Sequence, residues 1–161
     1  MEGHFPLTIS KTLFRHFLTA IEDIYHQGVA HRDIKLANIL VDNKFGIKLA
    51  DFGHSCFTQL DTYLPRGLFG TPKCKAPEVE AKDHKGLPAD IYSATIALYN
   101  MSFLNIHGPD HILSKKGKNL GPLWAQCAQT TGQEVPESLK ILLISIFRKD
   151  PEERPTIQQI K

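Results

Sequence analysis

The residues best suited to chemistry fall in two short stretches of the sequence. The first runs from His31 to Asp33 in the order His-Arg-Asp and adds Lys35 and Asn38, and the second is an Asp-Phe-Gly triplet that begins at Asp51. Carboxylate and amide oxygens can ligate hard cations, but a single Asp or Asn more often forms an Asx turn. Any chemical interpretation therefore depends on the order and spacing of the whole set.

Two β-prone runs separate these stretches and predict a hairpin between them. Ile39 to Val41 and Ile47 to Leu49 flank a turn-rich segment. An Ala-Pro-Glu triplet that ends at Glu78 follows farther along the chain. This order of motifs resembles the catalytic loop, magnesium motif and activation segment of eukaryotic-type protein kinases.

The resemblance covers nearly the whole chain and implies both a fold and domain limits. Residues 1–161 are identified as a partial protein kinase domain, the C-terminal lobe of that fold, mainly α-helical with a small β-hairpin. The catalytic loop is expected at 29–38 and the activation segment at 51–78.

Phosphoryl transfer depends mainly on positioning and charge stabilisation, so few groups suffice. By resemblance, Asp33 is the base that accepts or orients the proton of the substrate hydroxyl, and Lys35 meets the γ-phosphate of ATP. Asn38 and Asp51 are implied to ligate Mg²⁺ from the two ends of the hairpin. Leu40 is implied to lie under the adenine ring.

The subclass follows from Lys35 together with the triplet Gly-Thr-Pro that contains Thr71, which are typical of kinases that act on serine and threonine in proteins. Thr71 is expected to hydrogen-bond between Asp33 and Lys35. The region around Trp124 and the residues after the magnesium motif are similar to the calmodulin-dependent-like branch of that class.

Arg32 resembles the arginine through which many family members respond to phosphorylation of the activation segment, because that arginine can pair with a phosphate. The usual acceptor position holds Gly67 in this sequence. Thr58, Thr62 and Tyr63 are alternative acceptors.

Four further residues are expected to have a structural role. Asp90 either caps its helix or accepts backbone N–H groups of the catalytic loop. Glu78 and Arg154 are expected to form a buried ion pair that ties the activation segment to the last helices. Cys74, where tyrosine is usual, is expected to be an ordinary packed thiol.

The sequence contains no glycine-rich phosphate loop and no strand lysine, so half of the usual ATP site is expected to come from an N-terminal lobe or other upstream segment. Two hypotheses follow. The first is a serine/threonine protein kinase that uses ATP and Mg²⁺ and acts on a protein substrate. The second is a catalytically inactive, truncated lobe that serves as a protein-binding module. A glycine-rich loop and a strand lysine upstream of Met1 would favour the enzyme.

The remaining elements must position these residues. Apolar residues at three- and four-residue spacing predict a helix from Thr8 to His26, capped by Thr8 or Ser10. Further helices are expected over 89–104 and 136–147, with a short helix from Thr156 and a less certain stretch over 111–124. Residues 52–74 have no sustained period and are expected to form a functional loop.

Composition limits the partners. The net charge of +2 is too small and too scattered to favour nucleic acid. No apolar run reaches the about 20 residues that a spanning helix needs, so no membrane partner is expected. Three widely separated cysteines indicate a reducing compartment, and a cytoplasmic location is expected.

Overall fold

The fold is described by a computed structural model over residues 5–59, 62–67, 69–81, 83–103 and 120–161. Within these ranges the structure is mostly helical, as the sequence predicted. The single hairpin that the sequence predicted is one of three two-stranded sheets in this part of the chain. The β content was therefore underestimated.

Helix α1 (Leu7–His26) places its apolar residues on one buried face. The predicted caps are wrong: Thr8 and Ser10 lie inside the helix, and the cap position is Pro6 with no side-chain hydrogen bond. The helix ends where Gly28 takes a positive φ of 74°, a conformation that favours glycine. The buried apolar residues of α1 are Leu7, Leu13, Phe14, Phe17, Leu18, Ile21 and Tyr25.

The predicted hairpin is confirmed as β2 (Ile39–Val41) and β3 (Ile47–Leu49), paired in antiparallel register with Leu40 opposite Lys48. Just before β2, a short 3₁₀ turn (Leu36–Asn38) forms the end of the expected catalytic loop. The carbonyl of its last residue accepts the N–H of Ala50 at 2.9 Å. The hairpin and this hydrogen bond thereby hold the two chemical stretches close together in space.

Two more strand pairs were not predicted. β1 (Val29–Ala30) pairs with β4 (Cys56–Phe57), and β5 (Tyr63–Leu64) pairs with β6 (His84–Lys85). Two-residue strands carry no periodicity, and their partners are distant in sequence. The first pair makes the start of the expected catalytic loop a strand and joins it to the segment that follows the Asp-Phe-Gly triplet.

Helix α3 (Gly86–Phe103), which follows a short helix α2 (Glu78–Ala81), is buried nearly all around and lies at the centre of the fold. It begins three residues earlier than predicted, and its predicted last residue, Leu104, lies outside the described residues. So does most of the uncertain stretch 111–124, but its end belongs to helix α4 (Gly121–Thr131). Helix α5 (Glu137–Ile146) agrees with the prediction.

The short helix predicted near the end of the chain is present as α6 (Ile157–Ile160). Thr156 caps it in a reciprocal capping box with Gln159. No helix in the described ranges is long and apolar enough to cross a membrane.

Two hydrophobic clusters hold the functional loops. The first joins α1 to α3 and includes Ile34, which is 1% exposed and anchors the catalytic loop from within. The second joins α3 to α4 and α5 around Tyr99, Phe103 and Phe147. Because α3 contributes to both, any residue that links α3 to a loop has a rigid support.

Candidate active site

The loop predicted to be catalytic, residues 29–38, is anchored to the central helix by Asp90. One carboxylate oxygen of Asp90 accepts the N–H of His31 at 2.8 Å, and the other accepts the N–H of Arg32 at 2.9 Å. Asp90 is the fifth residue of α3, so the helix-cap alternative is wrong and the loop-anchoring one is confirmed. Burial raises the pKa of Asp90 to about 7.

This anchor supports a strained backbone. Arg32 has a φ of 64°, a left-handed conformation that non-glycine residues adopt at a cost. Asp51, at the start of the second chemical stretch, has a φ of 62°. Two strained residues thus lie in or beside the segments that carry the chemical groups.

Asp33 is the centre of a tight cluster of polar side chains. Its Oδ2 accepts a hydrogen bond from Lys35 Nζ at 2.7 Å, and its Oδ1 accepts the N–H and the hydroxyl of Thr71 at 2.9 and 2.8 Å. Lys35 Nζ also donates to Thr71 Oγ1 at 3.1 Å. The threonine therefore lies between the aspartate and the lysine, as expected.

The electrostatics of this cluster favour an ionised Asp33. Burial alone would raise its pKa, but the hydrogen bonds from Lys35 and Thr71 outweigh burial and hold the pKa below its usual range. The same hydrogen bond between Lys35 and Asp33 raises the pKa of Lys35. At neutral pH the cluster thus offers a carboxylate and an ammonium group side by side.

Asn38 and Asp51 lie at the open end of the hairpin. The amide nitrogen of Asn38 donates to the Asp33 carbonyl oxygen at 2.9 Å, so its side-chain oxygen is not used for that bond. Asp51 is exposed, and within the described part of the chain one of its carboxylate oxygens accepts a single hydrogen bond, from the N–H of Gly53 at 3.3 Å. Two oxygen donors with spare acceptor capacity fit a Mg²⁺ ion that takes its other ligands from phosphates and water.

No cluster of three or more His, Cys, Asp or Glu side chains suited to a metal occurs in the described ranges. A metal here would therefore depend on an asparagine, an aspartate and ligands from outside the chain. That donor set suits a hard, oxygen-seeking cation better than zinc.

The hairpin also presents an apolar surface beside these groups. Leu40 is 55% exposed on β2. The ring of Phe52 packs against the buried ring of His31 with centroids 4.8 Å apart, and His31 Nε2 lies 3.1 Å from the Ala50 carbonyl oxygen. Burial lowers the pKa of His31. The exposed Leu40 and the half-exposed Phe52 ring, which is tilted at 51° to that of His31, form an apolar shelf next to the polar cluster.

Comparison with known proteins decides the family. The family model for the protein kinase domain matches residues 1–161. The chain belongs to the protein kinase family. The resemblance drawn from the catalytic-loop and magnesium motifs is confirmed.

Relatives of this kinase chain include serine/threonine kinases. CBL-interacting serine/threonine-protein kinase 14 of Arabidopsis thaliana is 32% identical over 99% of the chain. The calcium/calmodulin-dependent protein kinase kinase of Caenorhabditis elegans is 33% identical over 92%. The mitogen-activated protein kinase kinase kinase ANP1 of Arabidopsis thaliana is 32% identical over 98%. The chain covers 36%, 28% and 24% of the lengths of these three relatives.

The ion pair predicted at the end of the expected activation segment is confirmed. Arg154 donates to both carboxylate oxygens of Glu78, at 2.6 and 2.7 Å, and the Tyr92 ring lies 4.8 Å from its guanidinium carbon. Both charged side chains are almost fully buried. Cys74, near the end of the segment, is a partly buried thiol whose pKa is raised by burial, in keeping with a packed rather than a reactive cysteine.

One contact in the activation segment was missed by sequence reasoning. The ring of Phe69 lies over the guanidinium group of Arg32, 4.1 Å from the ring centroid to the guanidinium carbon. Phe69 lies in a stretch without periodicity, so no pattern in the sequence marked it. Only the three-dimensional path of the segment brings it to the catalytic loop.

Proposed function

We propose that this chain carries the phosphoryl-transfer machinery of a serine/threonine protein kinase, which moves the γ-phosphoryl group of ATP to a serine or threonine hydroxyl of a protein substrate. The observation that carries the proposal is the buried Asp33 carboxylate, held ionised by Lys35 and Thr71. A carboxylate that is ionised at neutral pH can accept or orient a hydroxyl proton.

The neighbouring residues complete the proposed roles. Lys35 places a positive charge where the γ-phosphate of ATP would lie, and Thr71 fixes the orientation of Asp33. Asn38 and Asp51 would hold Mg²⁺, which when bound neutralises charge on the phosphates. Leu40 offers an apolar surface for the adenine ring. The γ-phosphoryl group would thus pass from ATP to the substrate hydroxyl among side chains that this chain holds in place.

The same proposal covers the rest of the enzyme. The described part of the chain resembles the C-terminal lobe, and an N-terminal lobe or upstream segment would close the shelf around Leu40 and supply further phosphate contacts. Water exclusion by such closure strengthens electrostatic interactions in an active site. The free thiols of Cys56, Cys74 and Cys127 support a reducing location such as the cytoplasm.

Two matched substitutions test the roles. Asp33→Asn removes the proposed base and leaves both metal ligands, so single-turnover phosphoryl transfer should slow by about 10²–10⁴-fold while nucleotide binding persists. Asp51→Asn replaces a carboxylate that would ligate the cation with a neutral amide, so binding of Mg·ATP should weaken. Asp23→Asn, at an exposed position on α1, is the control and should change neither quantity.

The assays use residues 1–161 alone and the same residues with a kinase N-terminal lobe supplied upstream. If the Asp33→Asn variant turns over like the unsubstituted protein, the role given to Asp33 is wrong. If neither form transfers phosphoryl groups but both bind a protein partner, the binding-module hypothesis replaces the enzymatic one.

A further inference from the structure

The guanidinium group of Arg32 is occupied by contacts within the chain. Its Nε donates to the carbonyl oxygen of His54 at 2.6 Å, and the Phe69 ring covers its face at 4.1 Å. Among the described residues no carboxylate forms an ion pair with Arg32. Its Nη2 also donates to the carbonyl oxygen of Ser55 at 3.5 Å. An aromatic ring and two backbone carbonyls are therefore the partners of this cation, and all of them attract it electrostatically.

The position of the Phe69 ring depends on Gly67. A Cβ atom added at Gly67 would lie 2.3 Å from Cε2 and 2.7 Å from Cδ2 of that ring, far closer than real Cβ atoms approach. Gly67 does not have a positive φ, so the backbone does not require glycine here. Its N–H donates to the Val79 carbonyl oxygen at 3.1 Å, which fixes the backbone beside α2. The ring thus fills a space between the fixed backbone at position 67 and the guanidinium group.

The next residues continue the same contact with the catalytic loop. Gly70 has a φ of 79°, and a Cβ there would lie 2.5 Å from the Arg32 carbonyl oxygen. Thr71 then donates both its N–H and its hydroxyl to Asp33. Residues 69–71 therefore lie along the loop, with Phe69 two residues before the bond to the proposed base.

We propose that Phe69 is a positioning residue: its ring, held between Gly67 and the Arg32 guanidinium, keeps the activation segment on the catalytic loop so that Thr71 orients Asp33 without a phosphate on the segment. A phosphorylated side chain that approached Arg32 from the side of the ring would have to displace it. Position 67 carries no hydroxyl to phosphorylate. The catalytic meaning of this contact rests on the proposed function, but the docking of the segment does not.

Amide hydrogen exchange at Thr71 measures the docking directly, because that N–H bonds to Asp33. In residues 1–161 prepared without phosphorylation, Phe69→Leu should speed exchange of the Thr71 amide about two- to fivefold, the size of one partly exposed ring–cation contact. Phe69→Trp, which keeps an aromatic face, should restore slow exchange. Phe57→Leu is the control, since Phe57 is 89% exposed on the same segment, and it should change nothing.

Gly67→Ala supplies an independent variant that keeps the phenylalanine. Its methyl group should push the ring away and speed Thr71 exchange, whereas the same substitution added to Phe69→Leu should have a smaller effect because the rigid ring is gone. If Phe69→Leu also speeds exchange at α1 amides such as those of Leu18 and Ile21, it unfolds the chain. In that case the rate of Thr71 amide exchange in Gly67→Ala, compared with that in the unsubstituted protein, decides whether the inference holds.

The inference is overturned if Phe69→Leu and Gly67→Ala both leave Thr71 exchange unchanged. It is also overturned if the Thr71 amide becomes protected only after phosphorylation of Thr58, Thr62 or Tyr63. Exchange requires no catalysis, so it tests the positioning role separately from the proposed function. Protection that depends on Phe69 supports the positioning role, and absence of phosphoryl transfer even with an N-terminal lobe supplied upstream counts against the proposed function alone. Where transfer is measurable, Phe69→Leu should lower kcat and leave the KM for ATP unchanged.

Discussion

The ion pair between Glu78 and Arg154 gives the sharpest test of how the activation segment is held. Its two hydrogen bonds are 2.6 and 2.7 Å long, and the side chains are 1% and 2% exposed. Glu78→Gln keeps the shape of the side chain but leaves the guanidinium charge of Arg154 buried without a counter-charge. We expect this variant to be strongly destabilised.

The size of the effect follows from the burial of both partners. Removing one partner of a buried pair costs about 3–5 kcal/mol, because the remaining charge keeps its desolvation cost. Domains are typically stable by about 5–15 kcal/mol, so the loss would be a large share of the total. Replacing both residues, as in Glu78→Gln with Arg154→Met, leaves no unpaired charge. The double variant should therefore be more stable than the sum of the two single losses predicts, by about 0.5–3 kcal/mol.

Urea unfolding of the single and double variants measures these quantities. The chain offers a matched control in the exposed pair of Arg148 and Glu153, whose atoms are 3.2 Å apart and whose side chains are 48% and 50% exposed. Glu153→Gln should cost about 0–1 kcal/mol. If Glu78→Gln costs no more than this control, or if the two losses simply add in the double variant, the buried pair does not act as a unit and our reasoning is refuted.

Three further predictions concern stability, nucleotide binding and overall structure. The folded-state pKa of Asp90, about 7, exceeds the usual aspartate value of about 4, so the native state binds its proton more tightly. The contribution of Asp90 protonation to the free energy of unfolding should therefore fall by about 1.4 kcal/mol per pH unit as pH rises between these values. Urea unfolding across pH 5 to 7 should show this fall in the unsubstituted protein and should lack it in Asp90→Asn. Residues 1–161 alone should bind Mg·ATP very weakly, and tight binding by calorimetry would contradict the need for an upstream lobe. Far-ultraviolet circular dichroism should be dominated by helix, and a strand-dominated spectrum would disagree with the fold.

The sequence predicted those elements whose side chains repeat a strong pattern. Helix α1 and the hairpin were located within a residue or so because their core-facing positions recur with a fixed period. The ion pair of Glu78 with Arg154, 76 residues apart, was predicted by family resemblance instead. Periodicity carries no information about such a contact, because neither residue belongs to a repeating pattern.

What could not be predicted depends on the path of the backbone between these elements. The positive φ of Arg32 and Asp51 contradicts local preference, and it persists because surrounding contacts over-determine it. For Arg32 those contacts include the Asp90 carboxylate on a helix far along the chain, and the Phe69 ring from a segment without any period. The residues that aim Asp33 are thus positioned by long-range contacts and not by the sequence around them. A reader of the sequence can therefore locate the proposed base, but only the folded chain shows what holds it in place.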